Sequence, residues 1–139
     1  MKNTQIFILC LCFGGLFLTQ ANVLSAQKTA IWKGGFPGQE TNWACARNWS
    51  LNKVPDGNCH ALIPLLEQRE KNYPILSTAD QEVYSLVIEA QASLTITPSG
   101  TLSILGLSPY DKPLWNAGTL FLSGTLLLPK GMCGSIAKR

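Results

Sequence analysis

Histidine is nearly absent: His60 is the only one among 139 residues. Any Ser-His-Asp or Cys-His device would have to use it, and a zinc site has no second histidine to draw on. The run Asp56-Gly57-Asn58-Cys59-His60 matches no zinc spacing. His60 therefore reads as a turn histidine, with no metal and no cofactor expected. Charge is sparse too, at 14% of residues. The basic side chains are scattered, and only Lys130, Lys138 and Arg139 draw together. A nucleic-acid surface needs a concentrated basic stripe with stacking aromatics, so no nucleic-acid partner is expected. Paired carboxylates in one cleft, the need of a glycosidase, are also hard to find. Glu89 lies among the repeats, Asp111 in the stretch 106–115 and Glu82 just before the first strand, and they read as solvated turn charges. Calcium-binding Gly-Gly-x-Gly-x-Asp turns are missing. No catalytic residue is assigned.

Long apolar runs are missing as well. The longest, Ile6 to Leu18, has thirteen residues, against about twenty for a membrane-spanning helix. With Lys2 before it and the small residues Ala21, Ser25 and Ala26 after it, this run reads as a secretory leader, residues 1–26. Cleavage is placed between Ala26 and Gln27, with Ala21 as the second choice. Secretion or display at the outer cell surface follows, and contact with a membrane is expected only through the leader before its removal. Loss of Lys2 takes the formal net charge from +3 to about +2.

Three cysteines survive that cleavage: Cys45, Cys59 and Cys133. In an oxidising compartment Cys45 and Cys59 are expected to pair, closing a loop worth about 3 kcal/mol on the chain-entropy model. Cys133 is then the odd one, free, paired between chains, or competing for one of the others.

What the chain does have is alternation. Between Val83 and Leu105, Leu86 and Ile88, Leu94 and Ile96, then Leu102 and Ile104 are apolar at every second position. That pattern buries one face of a short strand and wets the other. Ala90, Ala92, Pro98, Ser99 and Gly100 punctuate it. Gly-Thr-Leu occurs at 100–102, 118–120 and 124–126, with Ala92-Ser93-Leu94 as a looser copy. Short strands at this cadence predict an all-β solenoid of about two coils over residues 83–129, with eighteen residues from Gly100 to Gly118 as one coil length. Residues 27–82 predict a Trp-rich cap, and 130–139 a basic tail without strand pattern. An exposed edge is expected near Leu120 to Leu128, open to edge-to-edge self-association.

The cap begins with a short strand at Thr29–Trp32 and passes a Val54-Pro55-Asp56-Gly57 turn before a second strand at Ala61–Ile63. Leu65 to Asn72 reads as a loop or a single helical turn, followed by an extended Tyr73–Leu76. Trp32, Trp43 and Trp49 are read as the small core of this cap, with stacking on sugar rings as the other reading. Trp115 and Tyr110, in the Pro-containing excursion 106–115, are the candidate ligand contacts, and Trp115 is the ring expected to be most exposed. Asn48-Trp49-Ser50 is formally a glycosylation sequon.

These residues, in this order, resemble a module of large exported and cell-surface proteins of Gram-negative bacteria. The matching pieces are Ile31-Trp32, Asn42-Trp43, Asn48-Trp49, Val54-Pro55, Leu62-Ile63-Pro64 and Asn72-Tyr73-Pro74-Ile75-Leu76. They continue as Ser85-Leu86-Val87-Ile88-Glu89, Ser93-Leu94-Thr95-Ile96, Gly100-Thr101-Leu102-Ser103-Ile104 and Asn116-Ala117-Gly118-Thr119-Leu120. The resemblance implies secretion, a capped right-handed parallel β-helix, and adhesion or contact with surface carbohydrate. It implies no common catalytic site. Members of that family run on for many coils and many end in a sorting domain, whereas this sequence stops at Arg139. A short paralogue, a truncated gene and a fragment are the readings this leaves.

The function expected is thus an exported binding or structural module, with polysaccharide or another surface protein as partner. The readings from other classes are a truncated carbohydrate-active enzyme of the β-helix type, lyase or glycosidase, and a remnant without function.

Overall fold

The computed structural model describes residues 26–131. Residues 1–25, read above as part of a leader, and residues 132–139, with Cys133, lie outside the described residues.

Among the described residues there are ten short strands: β1 (Lys28–Ile31), β2 (Cys59–Ile63), β3 (Ile75–Leu76), β4 (Gln81–Val83), β5 (Ser85–Ile88), β6 (Ser93–Ile96), β7 (Thr101–Ile104), β8 (Leu114–Asn116), β9 (Thr119–Leu122) and β10 (Thr125–Leu127). A single 3₁₀ turn, Ala46–Asn48, interrupts the β structure. Leu65 to Asn72 is a loop. Every pairing between these strands is parallel. The first sheet has the order β1-β2-β5-β8, the second β3-β6-β9, and the third β4-β7-β10. The fold is all-β.

The strand order has a simple cause. The chain visits the three sheets in turn, so each lap adds one strand to each sheet, directly above the strand laid down one lap earlier. The three alternating stretches around Leu86, Leu94 and Leu102 are β5, β6 and β7, one in each sheet. Their inward residues Leu86, Ile88, Leu94, Ile96, Leu102 and Ile104 are all buried. Each such side chain contributes about 1.5–3 kcal/mol by leaving water.

Two expectations need correction here. Three laps are present rather than about two, because β2, β3 and β4 make one already within the segment assigned to the cap. A lap is also longer than eighteen residues. Thr119 of the second Gly-Thr-Leu lies over Ser93, and Thr125 of the third lies over Thr101. Hence the looser copy, Ala92-Ser93-Leu94, is the true spatial partner of Gly118-Thr119-Leu120. Lap length runs from twenty residues (75 to 95) to twenty-eight (86 to 114), the longest where the β7–β8 loop intervenes.

At the β1 end the stack is closed by the Trp-rich segment. Trp32, Trp43 and Trp49 are buried, with Trp49 set edge-on to both others at 5.0 and 4.8 Å between centroids. The Trp32 indole donates to the Asn72 carbonyl and the Trp49 indole to that of Trp43. The segment docks on the second sheet by exchange of backbone bonds among Thr41, Trp43 and Ile75, and on the first by an antiparallel bridge from Trp49 to Trp32. Asn48, fully buried, ties the loop together. Its amide nitrogen donates to the carbonyls of Gln39 and Asn42, and its oxygen accepts from the Phe36 amide. That nitrogen lies inside the folded protein, so the sequon is not accessible.

The expected Cys45–Cys59 disulfide is absent: both are free thiols. The chain carries them to different sheets. Cys45 lies three residues beyond Asn42, which bridges Ile75 at the head of β3. Cys59 is buried at the head of β2, opposite Lys28 of β1. Closeness in sequence did not translate into closeness in space.

Candidate functional site

On the outer face of the first sheet, register sets side chains in rows. Thr29, His60 and Ser85 form one row, and Ile31, Leu62, Val87 and Trp115 the next. Such alternation leaves Ala30, Ala61 and Leu86, between the two rows, facing the core. An outward apolar row is unusual on a wetted sheet, and here something partly covers it. The excursion between β7 and β8 folds back over these strands, so that Val87 is 7% exposed despite pointing outward.

The excursion holds its shape through its own bonds. The Ser108 amide donates to the Lys112 carbonyl, the Asp111 amide to the Ser108 carbonyl, and the Tyr110 amide to the Ser108 hydroxyl. Asp111 takes a positive φ of 57° at the tip. The base is pinned where the Gly106 amide meets the Tyr84 carbonyl and the Leu86 amide meets the Pro113 carbonyl. Gly106 is required at the first of these, because a Cβ there would run into the Tyr84 ring.

Between the excursion and the sheet lies a cleft of about 210 Å³, lined by Thr29, His60, Ala61, Leu62, Val87, Glu89, Pro109 and Tyr110. Its floor is mostly apolar strand, its wall is an aromatic ring, and the polar groups are His60 with neighbouring Thr29 at one end and Glu89 at the other. At one end His60 is fixed by a 2.6 Å bond between Nδ1 and the Ser85 hydroxyl and by edge-on contact with Tyr84, centroids 5.2 Å apart. Burial lowers the pKa of this imidazole below its ordinary value. At the other end Glu89 accepts the Leu65 amide through Oε2. Ser85 faces His60 across the strands, which puts Glu89 four residues further along, about 13 Å at strand rise.

The two aromatic candidates come together in this wall. Tyr110 and Trp115 stack at 4.6 Å and 26°, with the Lys112 ammonium 5.5 Å from the Trp115 ring centre. Their ranking is reversed, however. Tyr110 is 54% exposed, whereas Trp115 lies half-buried in the β8 row as backing for the tyrosine. The sequence pattern placed Trp115 in a loop; strand pairing with Val87 draws it down onto the sheet.

Sequence reasoning passed over His60, Leu62, Val87 and Glu89 as parts of one site. The signal was present in β2 and β5, where outward positions carry Leu62 and Val87 instead of polar residues. Reading it required the register between strands twenty-five residues apart. Glu82 and Asp111 do not join Glu89: Glu82 sits on β4 in the third sheet and Asp111 at the excursion tip. Cys59 and His60 are strand neighbours and face opposite ways, buried and outward. Among the described residues no three of His, Cys, Asp and Glu converge as a metal would require.

No family model, curated protein or solved structure matches this chain. Its own chemistry must carry the functional reading.

Proposed function

We propose that the chain is a short right-handed β-helix-like solenoid acting as an exported binding module, and that the cleft beside Tyr110 takes one ring of a surface or extracellular polysaccharide. The observation that carries this reading is the exposed Tyr110 ring, backed by Trp115 and set over an apolar strand floor. A sugar offers an apolar C–H face and a polar rim, and an aromatic wall with His60 and Glu89 at the ends matches both. The one-strand-per-sheet laps and the all-parallel pairing support the solenoid.

Binding is favoured over hydrolysis by the same lining. Glu89 is the one carboxylate in the cleft, whereas the usual glycosidase devices set two about 5–9.5 Å apart across the scissile bond.

The test is a glycan array probed with the purified chain, followed by titration of any hit. Tyr110→Ala is expected to weaken binding about tenfold, the range of one lost aromatic contact. Ser103→Ala, on the third sheet, is expected to leave it unchanged. If no glycan binds, or if Tyr110→Ala binds as tightly as the parent, the carbohydrate reading falls.

A further inference from the structure

The two ends of the stack are unlike. At the β1 end the three tryptophans and the 33–49 segment cover the first lap. At the other end, among the described residues, β8, β9 and β10 are each the last strand of their sheet, with a neighbour on one side only. Their inward side chains Leu114, Leu120 and Leu126 pack on the core yet are only partly buried. Leu122 is 41% exposed, although Ile96, its register partner one lap earlier, is fully buried. On the outer side Phe121 and Leu127 are 56% and 51% exposed.

Exposed strand edges are normally blunted by charge, by proline or by a covering segment. Residues 114–129 contain no Asp, Glu, Lys or Arg. Their single proline, Pro129, follows β10. Among the described residues, three adjacent strand edges without a pairing neighbour thus ring an apolar, uncharged end.

We propose that this end is the interface of a homodimer in which two copies meet lap to lap through β8, β9 and β10. A surface without charge meets its own copy without the repulsion that like charges set directly opposite one another would bring. At the β1 end Thr41 and Trp43 already occupy the Ile75 edge and Trp49 and Ser50 the Ile31–Trp32 edge, so head-to-tail addition meets edges that are taken and association stops at two. The geometry is specific. The three strands run round the end in one rotational sense, and only a two-fold axis lying in the plane of the end superimposes two such rings. With that axis across the middle of β8, β8 pairs antiparallel with β8 of the second copy. On the other two sides β9 pairs antiparallel with β10, twice. Leu122 and its inward neighbours then lose their remaining contact with water.

The test is sedimentation equilibrium of the chain recovered after export, over a wide concentration range. A monomer–dimer equilibrium with a limiting mass of two chains is expected. Phe121 and Leu127 point outward and are exposed, so changing them leaves the fold intact by circular dichroism. Phe121→Lys combined with Leu127→Lys sets like charges opposite each other at both β9–β10 contacts and is expected to abolish the dimer. Phe121→Lys combined with Leu127→Glu sets opposite charges there and is expected to associate at least tenfold more tightly than the double lysine variant. A parent chain that stays monomeric overturns the proposal and leaves the end to residues 132–139 or to a different partner. Growth beyond two chains, or identical behaviour of the two double variants, overturns it as well.

Discussion

The Asn48 amide uses both of its N–H donors and its oxygen inside the closing loop, on Gln39, Asn42 and Phe36. Asn48→Ala strands three backbone groups with no replacement partner, and a loss of about 3 kcal/mol is expected. An unchanged urea midpoint would show that water replaces the side chain. Nothing in the string Arg47-Asn48-Trp49-Ser50 marks this role; only the sequon was visible, and burial removes it. His60 is a second case. As a lone histidine next to a turn it had no legible partner, because Ser85 and Tyr84 reach it from the neighbouring strand. Burial depresses its pKa, so the folded protein holds it neutral while the unfolded chain protonates near pH 6.5. The unfolded state binds the extra proton first, and stability therefore falls as pH drops below about 6.5. The fall ends once the folded-state pKa is also passed. Melting temperatures taken between pH 7.5 and 5 should show this slope, and His60→Gln should flatten it. Asp56 acts in a separate window. The Lys53 ammonium bonded to it lowers its pKa, so its small contribution holds above about pH 4 and is lost only in stronger acid.

At the scale of elements, the repeated glycine explains the repeated tripeptide. A Cβ on Gly118 would strike the carbonyl oxygens of Ala92 and Glu89, and one on Gly124 those of Thr97 and Gly100. Each glycine is the corner where a new lap crosses close above the backbone of the last. These obstacles are main chain, which cannot swing aside, so Gly124→Ala is expected to cost about 1–3 kcal/mol through strain. Gly38 is the contrast: a Cβ there meets nothing, and only its positive φ of 78° opposes a side chain. Gly38→Ala is expected to cost about 1 kcal/mol. Thermal melts that rank the two variants the other way would refute the corner argument. Glycine and alternation together made β5, β6, β7, β9 and β10 legible. β3 was read only as extended chain within the cap and β4 was not seen, since each presents a single fully buried apolar side chain, Leu76 and Val83. One residue has no period, so the lap they complete was read as cap. The disulfide failed for a related reason: spacing along the chain says nothing about which sheet receives each thiol.

For the whole molecule, aromatic placement gives a direct optical check. Trp32, Trp43 and Trp49 are at most 1% exposed, while Trp115 is half-buried on the outer face. Iodide should quench one tryptophan in four, and Trp115→Phe should abolish nearly all quenching. Substantial quenching in that variant would mean that the closed end opens in solution. The general architecture was legible because periodicity and turn residues are local. The cleft was not, because its floor comes from β1, β2 and β5 and its wall from residues 109–110, segments joined only by register.

The covering of the β1 end by a segment that precedes the laps also bears on how such a chain acquires its shape. The closing segment and β1 precede every lap they support, and each later strand needs only the strand about twenty to thirty-one residues behind it. A chain emerging from its amino end can therefore build upon itself as it appears, each completed turn serving as the template for the next. Contacts of that span also confine the search for partners to a short length of tether, so parallel pairing, ordinarily slow, proceeds here by addition in sequence.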